Sequence, residues 1–170
     1  MSTNDFRQCL GKFATGVTVV TCHGVAGPCG ITANSFSSVS LEPPLVLWNI
    51  AKVSNSLQVF LDAEYFAINI LGADQQALSL HFAEPDHTRF NGIEYKTSAK
   101  DVPLLPDTVA CLECRTHQIY DSGTITLSSA KSKTTDQTTP SHCCSTLANT
   151  HASATKRANS KFFASDRSYG

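Results

Sequence analysis

Apolar residues recur along the first 121 positions in two rhythms, one of about 3.6 residues and one of two, and neither continues beyond residue 123. Phe6, Cys9, Leu10 and Phe13 fall at i, i+3, i+4 and i+7. That spacing predicts a helix over 4–14 with one inward apolar face, capped by Thr3 or Asn4 and stopped at Gly16. "VTVVTCH" reads as a strand and "GVAGP" as the turn after it. "GITANSFSSVS" reads as extended, "EPP" interrupts it, and "LVLWNI" is an apolar strand. "SNSLQVFLDA" predicts a short helix capped by Ser54 or Asn55, with Leu57, Phe60 and Leu61 facing inward. A strand "YFAINIL", a short helix "ADQQALSLHFA" with Asp74 as its cap, a loop-rich stretch and a long strand "TVACLECRTHQIY" complete the pattern.

Short strands without regular long helices between them disfavour a doubly wound parallel sheet. They predict a mainly β, largely antiparallel barrel with short peripheral helices. No G-x-G-x-x-G follows the first strand, which argues against a Rossmann cofactor site. From residue 122 the composition shifts, and 19 of the last 49 residues are Ser or Thr. The only branched aliphatics there are Ile125, Leu127 and Leu147. Such a segment has little apolar surface to offset its ordering entropy, so 124–170 reads as irregular or disordered.

A formal charge of −1 gives no electrostatic case for nucleic acid. No apolar run approaches the ~18 residues of a membrane helix. The first residues, "MSTNDFRQCLGKFA", lack the basic-then-apolar order of a secretory signal, so a cytoplasmic protein with mostly reduced thiols is expected. Cys111 and Cys114 form a C-x-x-C, the spacing of a redox pair or half a zinc site. On a strand, residues three apart point to opposite faces, and no second C-x-x-C accompanies this one, so two structural thiols and no metal site are expected. Cys143 and Cys144 lie in the tail.

"FRQCLGKFATGVTVVT", "GITANSFSSVSLEPPLVLWNI", "KVSNSL", "YFAINIL", "LHFA" and "RFNGIEY", in this order, resemble the flavin reductase family with its FMN-binding split-barrel fold. The resemblance covers roughly residues 5–123, which divides the chain into an incomplete flavin reductase-like domain, 1–123, and an aberrant tail, 124–170. It implies an NAD(P)H-dependent flavin reductase, a component of a two-component flavin monooxygenase, using FMN or FAD with NADH or NADPH. Reduced flavin would pass to an oxygenase partner, and the protein would be a homodimer. Two other readings stay open: a flavin-binding electron-transfer or storage protein without turnover, and an inactive truncated product.

The resemblance places Thr32, Ala33, Asn34, Ser35, Ser37 and Ser38 along the isoalloxazine ring, where small residues let backbone amides approach a flat ligand. The residues alone also allow a polar β-turn. Lys52, Ser54 and Ser56 would hold the flavin phosphate at a helix N-terminus, against a plain serine cap beside a solvated lysine. Asn69, His81 and Phe82 fall where the family has residues near the cofactor. Core packing for Phe82, a satisfied helix-end histidine for His81, and a surface ion pair for Arg89 are the alternatives. No catalytic acid or base is identified.

The family continues with G-D-H-x-I-x-x-G-x-V and then P-L-L-F-x-x-G-x-Y, the first histidine lying near the nicotinamide. Here the chain reads "DSGTITLSSAKSK", and both motifs are absent. The genetic code permits them in a second frame. If one base is missing near codon 123, the codons spanning Gly123 to Ser132 can read G-D-H-Y-I-I-L-G-E-V. The junctions of His142 with Cys143 and of Cys143 with Cys144 each force leucine, within a string that can read P-L-L-F. Residues 124–170 are therefore expected to be a frame-shifted tail, costing the barrel at least two strands and leaving an unpaired edge.

Overall fold

A computed structural model describes residues 2–84, 90–122 and 125–135, the last as backbone. In chain order the elements are α1 (Thr3–Leu10), β1 (Thr18–Gly24), β2 (Gly27–Ala33), β3 (Ser37–Leu41), β4 (Pro44–Ala51), α2 (Leu57–Asp62), β5 (Tyr65–Ile70), α3 (Gln76–Ala83), β6 (Lys96–Thr97), β7 (Pro103–Leu104), β8 (Ala110–Ser122) and β9 (Ile125–Thr135). Seven strands form one antiparallel sheet in the order β2-β1-β5-β8-β9-β4-β3, and β6 pairs with β7. The mainly β reading and its peripheral helices hold.

The two edge strands, β2 and β3, are consecutive in the chain and only residues 34–36 separate them. Four peptide steps from Ala33 to Ser37 reach at most about 14 Å. A flat seven-stranded sheet would hold its edges roughly 29 Å apart. The sheet is therefore curled, and β2 meets β4 across the closure. Inside the curl, Val20, Cys22, Ile31, Val46, Trp48, Ile50, Phe66 and Ile68 form the main core. Phe60 of α2 joins that core, with its ring edge-on to Trp48 at 5.0 Å.

The other face of the β1–β5 region carries a second layer. Val102, Leu104, Ala67 and Cys111 pack together there, and Thr21 Oγ1 donates to the Pro103 carbonyl at 2.5 Å. Beside it, α3 lays Phe82 on β2. A Cβ at Gly30 would stand 2.6 Å from the Phe82 ring, so this contact requires glycine. Cys111 belongs to the outer layer and Cys114 to the main core, so the C-x-x-C thiols do open to opposite faces of β8. Burial pushes both up, Cys111 to about 11 and Cys114 to about 12, as expected of inert structural thiols. Cys22 is raised as well, first by its hydrogen bond with Cys29 and then by burial.

Several expectations are corrected. The first helix is capped by Ser2, whose hydroxyl accepts from Asp5 N–H at 3.1 Å while the Asp5 carboxylate accepts from Ser2 N–H at 3.0 Å. This S-x-x-D capping box outcompetes Thr3 or Asn4 because it satisfies two backbone donors at once. The helix ends at Leu10 with Gly11 as its C-cap, short of the expected residue 14 and Gly16, and its apolar face is not inward: Phe6 and Leu10 are 49% and 51% exposed, and Phe13 beyond it is 75% exposed. Ser56 and Gln75, rather than Ser54 or Asn55 and Asp74, precede α2 and α3. Residues 125–135 are not irregular; their backbone pairs with β8 on one side and β4 on the other. Over that stretch the barrel therefore has a strand where an unpaired edge was expected. The rest of the tail, with Cys143 and Cys144, lies outside the described residues. Among the described residues no helix is long and apolar enough to cross a membrane.

Candidate functional site

The ladder on β2 ends at Ala33 and the one on β3 begins at Ser37, so the amides of 34–36 lie outside both ladders, at the closure of the barrel. One side chain holds this loop to the sheet. Ser35 Oγ accepts from Asn49 N–H at 2.9 Å and donates to the Asn49 carbonyl at 3.2 Å. The hydroxyl thus extends the β3–β4 pairing by one step with a side chain in place of a backbone. Asn34 and Ser35 are half-buried, while Ser37 and Ser38 are exposed. Ala33 and Thr32 are buried at the end of β2, and Thr32 Oγ1 donates to the Ser79 carbonyl at 2.6 Å, tying α3 to the same strand end. His81 is on the exposed side of α3, with its ring edge-on to the buried Phe82.

Lys52 lies three residues after Asn49, immediately past the end of β4. Its ammonium pairs with Asp121 near the end of β8. Behind it the turn closes on itself: Ser54 N–H donates to Ala51 O at 2.9 Å, Ser56 N–H to Ser54 Oγ at 3.3 Å, and Leu57 N–H to Ser54 O at 3.0 Å. Those amides are already engaged, and α2 has only six residues. The helix-terminus contribution expected for a phosphate is accordingly small, and the Lys52 charge beside it is paired with Asp121.

Two expected site residues serve the fold instead. Phe82 is fully buried between Gly30 and Phe90, with ring centroids 5.1 Å apart in the latter pair. Asn69 is fully buried in the outer layer and uses all of its polar capacity on protein groups. Its Nδ2 donates to the Val19 carbonyl at 3.0 Å and to Thr21 Oγ1 at 3.1 Å. Its Oδ1 accepts from Leu105 N–H at 3.0 Å and from the Cys111 thiol at 3.4 Å. No donor or acceptor remains for a ligand. Arg89 lies outside the described residues. A small cleft lined by His23, Tyr65, Lys100 and Asp101 lies at the opposite end of β1 from the loop.

Sequence reasoning passed over Asn49. Its Oδ1 is buried, and among the described residues no donor reaches it. The signal was an amide within an otherwise apolar strand. Loop amides outside the ladders, small side chains, a buried free acceptor and one cation suit a flat heterocycle with an imide edge and an attached phosphate. A flavin fits that description. What the described residues of this arrangement can do is bind and orient.

Residues 10–142 match the flavin reductase like domain. The chain belongs to the flavin reductase family. This flavin reductase homologue is 44% identical over 126 residues to the FMN reductase (NADH) SmoA of Agrobacterium fabrum, covering 74% of this chain and 72% of that one. It is 45% identical over 120 residues to the reductase component of the flavin-dependent trigonelline monooxygenase of Acinetobacter baylyi, covering 70% of this chain and 39% of that protein. The crystal structure of a Streptomyces globisporus NADH:FAD oxidoreductase in complex with NAD and FAD fragments superposes with a TM-score of 0.72 at 38% identity, covering 76% of this chain and 78% of that one. The chain spans 51% or less of several of its curated relatives.

Asn69→Ala would strand Leu105 N–H, the Cys111 thiol and the Val19 carbonyl together. Thermal or urea unfolding should show a loss of roughly 3 kcal/mol, about 10 °C in Tm for a chain of this size. Flavin affinity of the folded fraction should stay within about twofold, since the residue touches only protein. A large affinity loss with unchanged Tm would return Asn69 to the binding site.

Proposed function

We propose that this chain is an NAD(P)H:flavin oxidoreductase that delivers reduced flavin to a partner monooxygenase. The observation that carries the reading is the Ser35–Asn49 clasp, which fixes the Asn34–Ser35–Phe36 loop across the barrel closure at the end of β4 that leads to Lys52. The relatives named above as FMN reductase and monooxygenase reductase component support it. Bound flavin would supply the redox chemistry, taking hydride at N5 from nicotinamide C4. The chain supplies the rest. Asn34, Ser35, Ser37 and Ser38, with Thr32 and Ala33 behind them, orient the ring. Amides and hydroxyls aimed at the ring carbonyls favour the negative charge that accumulates on reduction. Lys52, with Ser54 and Ser56 shaping its turn, draws in the phosphate. His81, exposed at the edge of α3, is positioned to border the ligand. Holding the two reacting atoms ~3–3.5 Å apart is the main catalytic device when no proton transfer is needed.

We further propose a homodimer. Phe6 and Leu10 of α1 and Phe13 just beyond it are exposed apolar residues that a second copy would cover.

The register of β9 supports the frame-shifted tail. Positions 126, 128, 130 and 132 pair with Ile50, Trp48, Val46 and Cys114, all of them core residues. As written these positions are Thr126, Ser128, Ala130 and Ser132. In the second frame they can read tyrosine, isoleucine, glycine and valine, which suits a strand facing an apolar core. The reading then places domain 1–123 and its continuation in one barrel, with the histidine of the family motif at position 125.

Four measurements test these proposals. Stopped-flow mixing of NADH with the flavin-loaded chain should bleach the oxidised flavin band, whereas an electron carrier or storage protein would leave it intact. In the same preparation Lys52→Gln should weaken FMN about fivefold to tenfold and leave riboflavin, which has no phosphate, unchanged; equal losses for both would remove Lys52 from the phosphate site. Light scattering should give a dimer mass that Leu10→Glu converts to monomer, and a monomeric parent would end the dimer proposal. DNA across codon 123 should show a coherent second frame downstream, and a stop codon soon after in that frame would eliminate it.

A further inference from the structure

Asn49 sits on the outward face of β4. Val46, Trp48 and Ile50 alternate into the core, and Leu47, Asn49 and Ala51 turn the other way, half-buried. Its backbone N–H and carbonyl are both held by the Ser35 hydroxyl, so Asn49 and the loop of small residues form one rigid unit. Its side-chain oxygen is nevertheless buried, and no donor reaches it among the described residues. A buried carbonyl without a donor is costly, and such orphans concentrate where a bound group completes them. The missing partner must be a donor, and it must reach β4 beside Ser35.

We propose that Asn49 reads the imide edge of the flavin, with Oδ1 accepting the ring N3–H. The proposal rests on the flavin reductase reading and names the specificity residue of that site. The pyrimidine edge of an isoalloxazine carries two carbonyls and, between them, a single donor at N3. Loop amides and serine hydroxyls serve the carbonyls. N3–H requires an acceptor, and an amide offers one with a donor alongside for the neighbouring carbonyl. The Ser35 clasp sets the distance between this acceptor and the loop amides, so carbonyls and imide are read together. A ligand with the same ring shape but no N–H at that edge would leave Asn49 unsatisfied and bind less well.

The test is a cycle between protein and ligand on the full chain, with binding measured by flavin fluorescence. Wild type should bind N3-methyl-FMN about tenfold more weakly than FMN. Asn49→Leu should bind both with equal affinity, within about twofold, because the acceptor is gone. Asn49→Asp keeps an acceptor and should keep the preference for FMN, which covers the case in which the leucine variant does not fold. If the leucine variant pays the same methyl penalty as wild type, the methyl group clashes elsewhere and the inference is overturned. Wild-type binding of FMN without discrimination against the N3-methyl form also overturns it, while leaving the flavin reading intact. A chain that binds neither flavin overturns both.

Discussion

The closure of the barrel by three residues is the constraint on which the rest of the structure depends. Because β2 and β3 are the two edges of one sheet and are joined only by 34–36, the sheet must curl until those edges nearly meet. The curl creates an interior that Trp48, Phe60 and Phe66 fill. It also forces the short link to run taut across a gap where no strand partner is available. Its amides therefore leave the ladders, and a side chain, Ser35, substitutes for the missing pairing. The same geometric demand that shapes the core thus leaves the backbone amides of 34–36 outside the ladders.

The outer layer makes that gap rigid from behind. Asn69 and Thr21 pin Pro103 and Leu105 over β1 and β5, and Thr32 pins Ser79 and with it α3. Strand β1 is consequently buried on both faces from Thr18 to Cys22. Its pairing with β2 carries that rigidity to Ala33, the residue before the loop. The Gly30–Phe82 contact serves the same end, since any side chain at Gly30 would lift α3 from the strand. Asn69 and Phe82 thus contribute to the stability of the barrel behind the loop.

Strands β1, β4, β5 and β8 were legible because each rests on a local apolar pattern, whereas "GITANSFSSVS" reads as one extended stretch and the structure divides it into β2 and β3 around residues 34–36. What escaped depends on partners remote in sequence. Asn69 reads as an available amide until Leu105 and Cys111 are seen to use its oxygen. The spacing of Phe6, Leu10 and Phe13 predicted one inward helical face, but the helix ends at Leu10 and periodicity alone does not say which way a face turns. Ser2 was missed although its S-x-x-D pattern was present, because three adjacent residues can all cap and only the reciprocal bond decides among them. The apolar demand on β9 was invisible in a serine-rich stretch and becomes evident only from its place between β4 and β8.

A site built of hydroxyls, amides and one lysine has consequences for how it can be improved or damaged. In the proposed hydride transfer, rate would depend on distance and alignment, which the short 34–36 link constrains. Substitutions that change charge far from the loop should then matter little, because screened surface pairs such as Arg115 with Glu64 contribute modestly. Substitutions that shift β2 against β4 by a fraction of an ångström should matter greatly, even when they leave every polar group in place. The barrel closure is therefore as much a part of the chemistry as any residue that touches the ligand.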